Sequence, residues 1–146
     1  MVQLKYFGDS RDFFKYDLIT TIVKESSLCH YVFIPMLTKP RDDGQGNKAP
    51  LNIGDKCEDL LRFIKKCDSK SLKHWKDWLA PHVDSYSTIE PVDETYFLDE
   101  ERNSYWEKFR PIVSKEHALV FIDPDTGLET GGPSYLRKMG RDKYIN

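Results

Sequence analysis

Apolar positions along this chain fall into two kinds of pattern. Short unbroken runs occur at Tyr31-Val32-Phe33-Ile34 and at Ala118-Leu119-Val120-Phe121-Ile122. Each is too short for a helix, so both predict strands; the second run lacks the alternation of a strand with one face in water and predicts cover on both faces. The second run reads as the central strand of an α/β sheet. Within Tyr31–Leu37, Pro35 counts against a fully bonded central position unless the strand ends there. Weaker signals predict a short edge strand over Val2–Phe7 and another strand over Val83–Ile89.

The second pattern is helical. Phe14, Leu18 and Ile22 recur at intervals of four, with Ile19 and Val23 widening the stripe. They predict an amphipathic helix over 11–26, capped by Asp9 or Ser10, with Phe13 and Phe14 in the core and Lys15 and Lys24 in water. Asp55-Lys56-Cys57-Glu58 has the form of a capping box and opens a helix to about Lys66, with Cys57, Leu60, Leu61 and Ile64 inward. Leu72, Trp75 and Leu79 predict a helix over 71–80 that Pro81 stops. Tyr105, Trp106 and Phe109 predict another from near Asp99 to Arg110, closed by Pro111. Leu136 and Met139 are compatible with a short helix in the tail. Strands alternating with helices in this way predict a single three-layer Rossmann-like α/β domain over residues 1–146, with a mostly parallel sheet. The chain reads either as a complete small domain or as a piece whose later strands lie beyond it.

Composition narrows the class. With 22 Lys and Arg against 24 Asp and Glu the formal charge is -2, which gives no global electrostatic case for nucleic acid, although a local basic face would vanish in the sum. An apolar fraction of 39% with 13% aromatics argues against wholesale disorder. Cys29, Cys57 and Cys67 have no metal-ligand spacing and read as packing residues in a reducing compartment. Neither a secretory leader nor a membrane-length apolar run is visible, so a soluble, cytoplasmic protein is expected.

Candidate chemistry concentrates at acids that precede prolines. The Ala118–Ile122 run ends in Asp123-Pro124-Asp125; proline ends the ladder and leaves two carboxylates at the carboxyl end of the strand, where open α/β sheets hold ligands. A plain turn that merely ends the element is the alternative. Glu90-Pro91 repeats the motif. If the two strands lie side by side and parallel, Glu90 and Asp123 face one ligand or one metal ion. Between residues 38 and 47, the glycines of Asp43-Gly44-Gln45-Gly46 would let backbone approach a ligand, and Asp43 would accept from hydroxyls or hold a cation. This stretch matches neither the phosphate-loop nor the dinucleotide-loop pattern and reads equally as a surface loop. His74 is expected at the surface, and neither His74 nor His82 has a sequence-local partner for catalysis.

Val120-Phe121-Ile122-Asp123-Pro124 resembles the fourth motif of class I amino- and nucleic-acid methyltransferases. In chain order, Asp12 to Tyr16, Phe33 to Gly46 and Phe121 to Pro124 are similar to the N-terminal helix, the first strand with its glycine loop and the later strand of proteins related to three-cysteine-motif partner enzymes. The resemblance implies a degenerate Rossmann-like methyltransferase fold, S-adenosylmethionine as cofactor, a nucleic-acid or protein substrate and a partner protein. It further implies that Asp43, Gly44 and Gly46 border the adenosine, that Glu90 accepts from a cofactor hydroxyl, and that Asp123 and Asp125 stand at the reacting end. Departures from the pattern are the irregular glycine loop and Asp125-Thr126 in place of an aromatic. A second reading gathers Asp43, Glu90, Asp123 and Asp125 around Mg2+ or Mn2+ for a nuclease or phosphodiesterase. Asp123-Pro124-Asp125 also resembles the first motif of haloacid-dehalogenase-like phosphatases, with Thr126 and Gly127 in swapped order. A noncatalytic interaction domain accounts for the same elements without chemistry.

Overall fold

The computed structural model describes residues 4, 7, 10–40, 58–67, 71–124, 127–128 and 144–145. At its centre is β1, His30–Ile34, with β2, Thr88–Ile89, on one side and β3, Ala118–Ile122, on the other, all parallel. Backbone groups of β1 alternate between the two neighbours. His30 N–H donates to the His117 carbonyl and the Ile34 carbonyl accepts from Asp123, whereas the carbonyls of Cys29 and Tyr31 accept from Thr88 and Glu90. A strand used on both edges in this way carries apolar side chains on both faces, and four of the five residues of β1 are buried.

Helices cover the two faces separately. Before β1 comes α1, Ser10–Glu25, and between β1 and β2 come α2, Glu58–Lys66, and α3, His74–Leu79, followed by a 3-10 turn at Ala80–His82. These three cover the face that carries Tyr31, Phe33, Leu119 and Phe121. On the other face Val32, Ile34, Val120 and Ile122 meet Tyr105 and Phe109 of α4, Arg102–Val113. Connections that lead to opposite sides of β1 place their helices on opposite faces, because parallel crossovers are right-handed. The result is a single three-layer α/β domain with four α-helices and a three-stranded parallel sheet among the described residues, a Rossmann-like layering. A separate parallel pair joins β4, Gly127–Leu128, to β5, Tyr144–Ile145.

Aromatic rings fasten the larger core. Trp75, 1% exposed, lies 5.3 Å from Phe33, 6.1 Å from Phe121 and 5.5 Å from Tyr16, and Phe33 stacks on Phe121 at 4.8 Å. One tryptophan thus ties α3 to two strands and to α1.

Several expectations shift. Strand β3 is half-buried and borders the described sheet, and β1 is central, because β1 ends at Ile34, just before Pro35. The predicted strand over 83–89 shrinks to β2, since Asp84 and Ser87 close a turn ahead of it. Of the edge strand expected over Val2–Phe7 only Leu4 and Phe7 are described, and the Phe7 N–H donates to the Leu4 carbonyl. Pro111 lies inside the last turn of α4, which continues to Val113. Helix α1 is rotated from its predicted face: Asp12, Phe13, Tyr16, Ile19, Thr20 and Val23 are buried, while Phe14 and Leu18 are exposed. Asp43, Gly44, Gly46, Asp125, the capping box at Asp55–Cys57 and the tail helix around Leu136 and Met139 lie outside the described residues.

Phe13→Ala should lower the urea-unfolding free energy by about 3–4 kcal/mol through cavity formation. Phe14→Ala, one residue later, should change it by less than about 0.5 kcal/mol. Equal losses at the two positions would contradict the rotated face.

Candidate ligand site at the carboxyl end of the sheet

The chain leaves β1 for β2 on one side and later returns to β3 on the other. Strand order therefore reverses beside β1, and the carboxyl ends of β1 and β3 flank the crevice where open α/β folds hold their ligands. Asp123 follows β3 directly. Its N–H donates to the Ile34 carbonyl at 3.0 Å, which fixes the residue against the last position of β1, and it is only 5% exposed.

Its carboxylate is matched by a cation from the other end of the chain. Lys15 Nζ, from the first half of α1, lies 2.6 Å from Oδ1 and 2.7 Å from Oδ2 of Asp123, donating to both oxygens. The same ammonium is 3.9 Å from Oδ1 of Asp12, one turn earlier on the helix and 1% exposed. Burial alone would push the Lys15 ammonium below the ordinary lysine value, but the Asp123 charge and hydrogen bond, with help from Asp12, outweigh it and hold the pKa above that value. An isolated buried charge is costly, so this pairing is a condition of placing either group there. Next to them, burial pushes the Tyr16 hydroxyl well above the usual tyrosine range, and the charges of Asp12 and Asp123 push it further.

Beyond β1 the chain bends sharply. Met36 is fully buried at φ 46°, a left-handed conformation that costs a non-glycine residue about 1–2 kcal/mol. Leu37 then resumes pairing, bridging to Tyr96, with its carbonyl accepting from Phe97 N–H at 2.7 Å.

Of the residues singled out in the sequence, Glu90 and Asp123 are described, and they are not neighbours, because β1 lies between their strands. Ile89 is level with Tyr31 and Leu119, so Glu90 stands three residues short of Asp123 along the strand direction. Three residues and two strand spacings, each about 10 Å, separate their backbones by about 14 Å. Glu90 Oε1 accepts from Lys115 Nζ at 2.7 Å, from the turn that leads into β3. Two carboxylates so far apart do not share one ion at the 2.0–2.6 Å of roughly every Mg2+ or Ca2+ ligand, and the joint metal site expected of adjacent strands is not formed. No group of three or more His, Cys, Asp or Glu suited to a metal occurs among the described residues. His74 is half-buried against the Phe7 ring at 5.9 Å, and His82 sits edge-on to Trp78 at 4.8 Å. Both rings stand in aromatic contacts, and His74 Nδ1 also lies 3.7 Å from Asp77 Oδ2.

Lys15 and Asp12 were not anticipated as site residues. A lysine in an amphipathic helix is ordinarily solvated, and the Phe14-Leu18-Ile22 stripe places Lys15 in water. The usable signal was the polar string Asp12, Tyr16 and Thr20 at intervals of four alongside Phe13 and Val23.

No family model matches the chain, and neither the curated proteins nor the solved structures compared with it include a match. Among the described residues no helix is long and apolar enough to cross a membrane.

Lys15 and Asp123 should be thermodynamically coupled. In a double-mutant cycle of Lys15→Met and Asp123→Asn, the coupling measured by urea unfolding should be about 1–3 kcal/mol, below a fully buried pair because the lysine keeps some solvent. Since the folded lysine value is raised, this contribution is fully present below the unfolded lysine value of about 10.5 and is lost as pH rises through the higher folded value. Lys15→Met should remove that part of the alkaline loss of stability. An additive cycle would contradict the pairing.

Proposed function

We propose that the domain is methyltransferase-like and holds S-adenosylmethionine across the carboxyl ends of β2, β1 and β3, for transfer to a nucleic-acid or protein nucleophile. The observation that carries this reading is the separation of Glu90 and Asp123 on either side of β1. About 14 Å is too wide for one ion and suits an extended ligand of nucleoside size lying over the strand ends. The acid that ends β2, next to the first strand, is in the position from which nucleotide-binding α/β folds accept from a ribose hydroxyl. Lys115 occupies Oε1 of Glu90, and a carboxylate accepts through both oxygens, so Oε2 is left for that hydroxyl.

When bound, the cofactor supplies an activated methyl group. This chain's residues do the positioning. Asp123 accepts a hydrogen bond from the incoming nucleophile and orients its lone pair, and Lys15, donating to both of its oxygens, keeps the Asp123 carboxylate aimed. Orientation and fixed charge account for the rate under this reading. A divalent ion at Asp123 would instead have to displace Lys15 from both carboxylate oxygens, which disfavours the nuclease alternative.

Calorimetric titration with S-adenosylmethionine tests it. Wild-type protein should show saturable one-site binding, and Glu90→Gln should weaken it about tenfold or more, the effect of a lost hydrogen bond to a charged acceptor. Asp123→Asn should retain binding within about threefold and lose methyl transfer to acceptor nucleic acid or protein. No saturable heat from folded wild-type protein would overturn the proposal.

A further inference from the structure

Exposed lysines gather at one end of the helical layer that covers Phe33 and Phe121. Levels along that layer follow from its contacts. Tyr16 meets Trp75 at 5.5 Å and Thr20 Oγ1 accepts from Trp78 Nε1, so α1 and α3 run the same way. Both start at the carboxyl end of the sheet, where Lys15 reaches Asp123. On α2, Phe63 meets Trp78 at 5.4 Å, the earlier Asp59 is the acid that faces His82 beyond α3, and Cys67 is near enough to Tyr16 to help raise its pKa. Helix α2 therefore runs the opposite way, and its last turn lies level with the start of α3, beside the crevice. Lys65 and Lys66 occupy that last turn, Lys73 is the N-cap of α3 and Lys76 follows one turn on, all of them exposed. None pairs with a carboxylate among the described residues, whereas Arg62, midway along α2, is held by Glu58 and Asp59. The helix dipole accounts for lysines that end α2, but it disfavours a cation at the start of α3, and Lys73 and Lys76 repel at a spacing of three. Local stability does not explain the set.

We propose that Lys65, Lys66, Lys73 and Lys76 hold the phosphate backbone of a nucleic acid whose reacting nucleotide lies at Asp123. The proposal rests on the cofactor reading for its reaction, and it narrows the acceptor from nucleic acid or protein to nucleic acid. Over the whole chain the formal charge is -2, so attraction for a polyanion has to be local. Lysine serves a phosphate as a point charge on a flexible stem and needs no fixed geometry. A helix is about 10–12 Å across and a strand advances about 3.4 Å per nucleotide, so the lysines lie about three or four nucleotides from the crevice. Other anionic partners fit less well. Among the described residues no large apolar side chain of α2 or α3 is exposed. Helices that lie on a membrane insert an apolar face, and protein contacts centre on aromatic or apolar anchors. Holding a phosphate backbone takes charge alone.

Fluorescence anisotropy of a labelled single-stranded RNA of about 16 nucleotides, titrated with the full chain and without S-adenosylmethionine, decides it. One phosphate per lysine predicts a slope of about -3 in log K against log salt, a loss of about fiftyfold in affinity between about 50 and 200 mM salt. Replacing all of these lysines by glutamine should weaken binding at the lower salt at least about tenfold, with an unchanged circular dichroism spectrum. Lys73→Gln alone should reduce the slope by about 0.7. Lys24→Gln removes the same charge from an exposed position in the last turn of α1, at the far end of the layer, and should change affinity by less than about twofold. The proposal would be overturned by the absence of saturable binding at the lower salt, by binding that survives the quadruple replacement, or by equal losses from Lys24→Gln and Lys73→Gln. Equal competition by polyglutamate or by phosphatidylserine vesicles at matched charge would also overturn it. Heat from S-adenosylmethionine without RNA binding would keep the cofactor reading and return the acceptor to protein. RNA binding without cofactor heat would keep the lysine surface and remove the methyl-transfer reading.

Discussion

Everything in this domain hangs on β1 hydrogen-bonding in two directions at once. Alternate backbone groups serve β2 and β3, so the strand has no free edge, and its side chains need apolar cover above and below. That single requirement calls for helices on both faces and accounts for two separate clusters of buried side chains. It also fixes where strand order reverses. The crevice beside Asp123 is thus a by-product of how β1 is satisfied, and would exist whatever chemistry the domain performs.

What distinguishes the crevice is charge under low solvent exposure. Asp12 and Asp123 are among the most deeply buried polar residues of the described chain, and a single lysine reaches both. Removing that lysine would take a charge-assisted partner from carboxylates in a poorly solvated place, whereas surface pairs such as Arg62 with Glu58 could be lost with little effect. The contrast makes the Lys15–Asp123 pair a structural constraint and a chemical resource together.

Strands β1 and β3 and the position of Asp123 were legible because the signals are local: an unbroken apolar run, and after β3 an acid and a proline. Helix α1 was legible as a helix and not in its facing. Two rows compete along it, Phe14-Leu18-Ile22 and Phe13-Tyr16-Thr20-Val23, and hydrophobicity alone favours the first. The second is inside because its polar atoms are partly matched from elsewhere: Thr20 Oγ1 accepts from Trp78 Nε1 at 2.9 Å and donates to the Tyr16 carbonyl at 2.7 Å. No window of sequence contains both halves of that arrangement. The same holds for Lys15, whose partner is remote, and for Glu90, whose distance from Asp123 depends on strand order and whose ion pair depends on Lys115.

The reach from Lys15 to Asp123 spans 108 positions, and this has a consequence for how the protein is made. At synthesis rates of roughly 5–20 residues per second, α1 leaves the ribosome at least about 5 s before its acidic partner has been polymerised. Through that interval Asp12, Lys15 and the future core residues of the helix are solvated, and the Lys15–Asp123 pair has no counterpart in the nascent chain. Formation of the pair therefore reports completion of the sheet, and a chain stalled before β3 would present a helix whose lysine has not met its carboxylate.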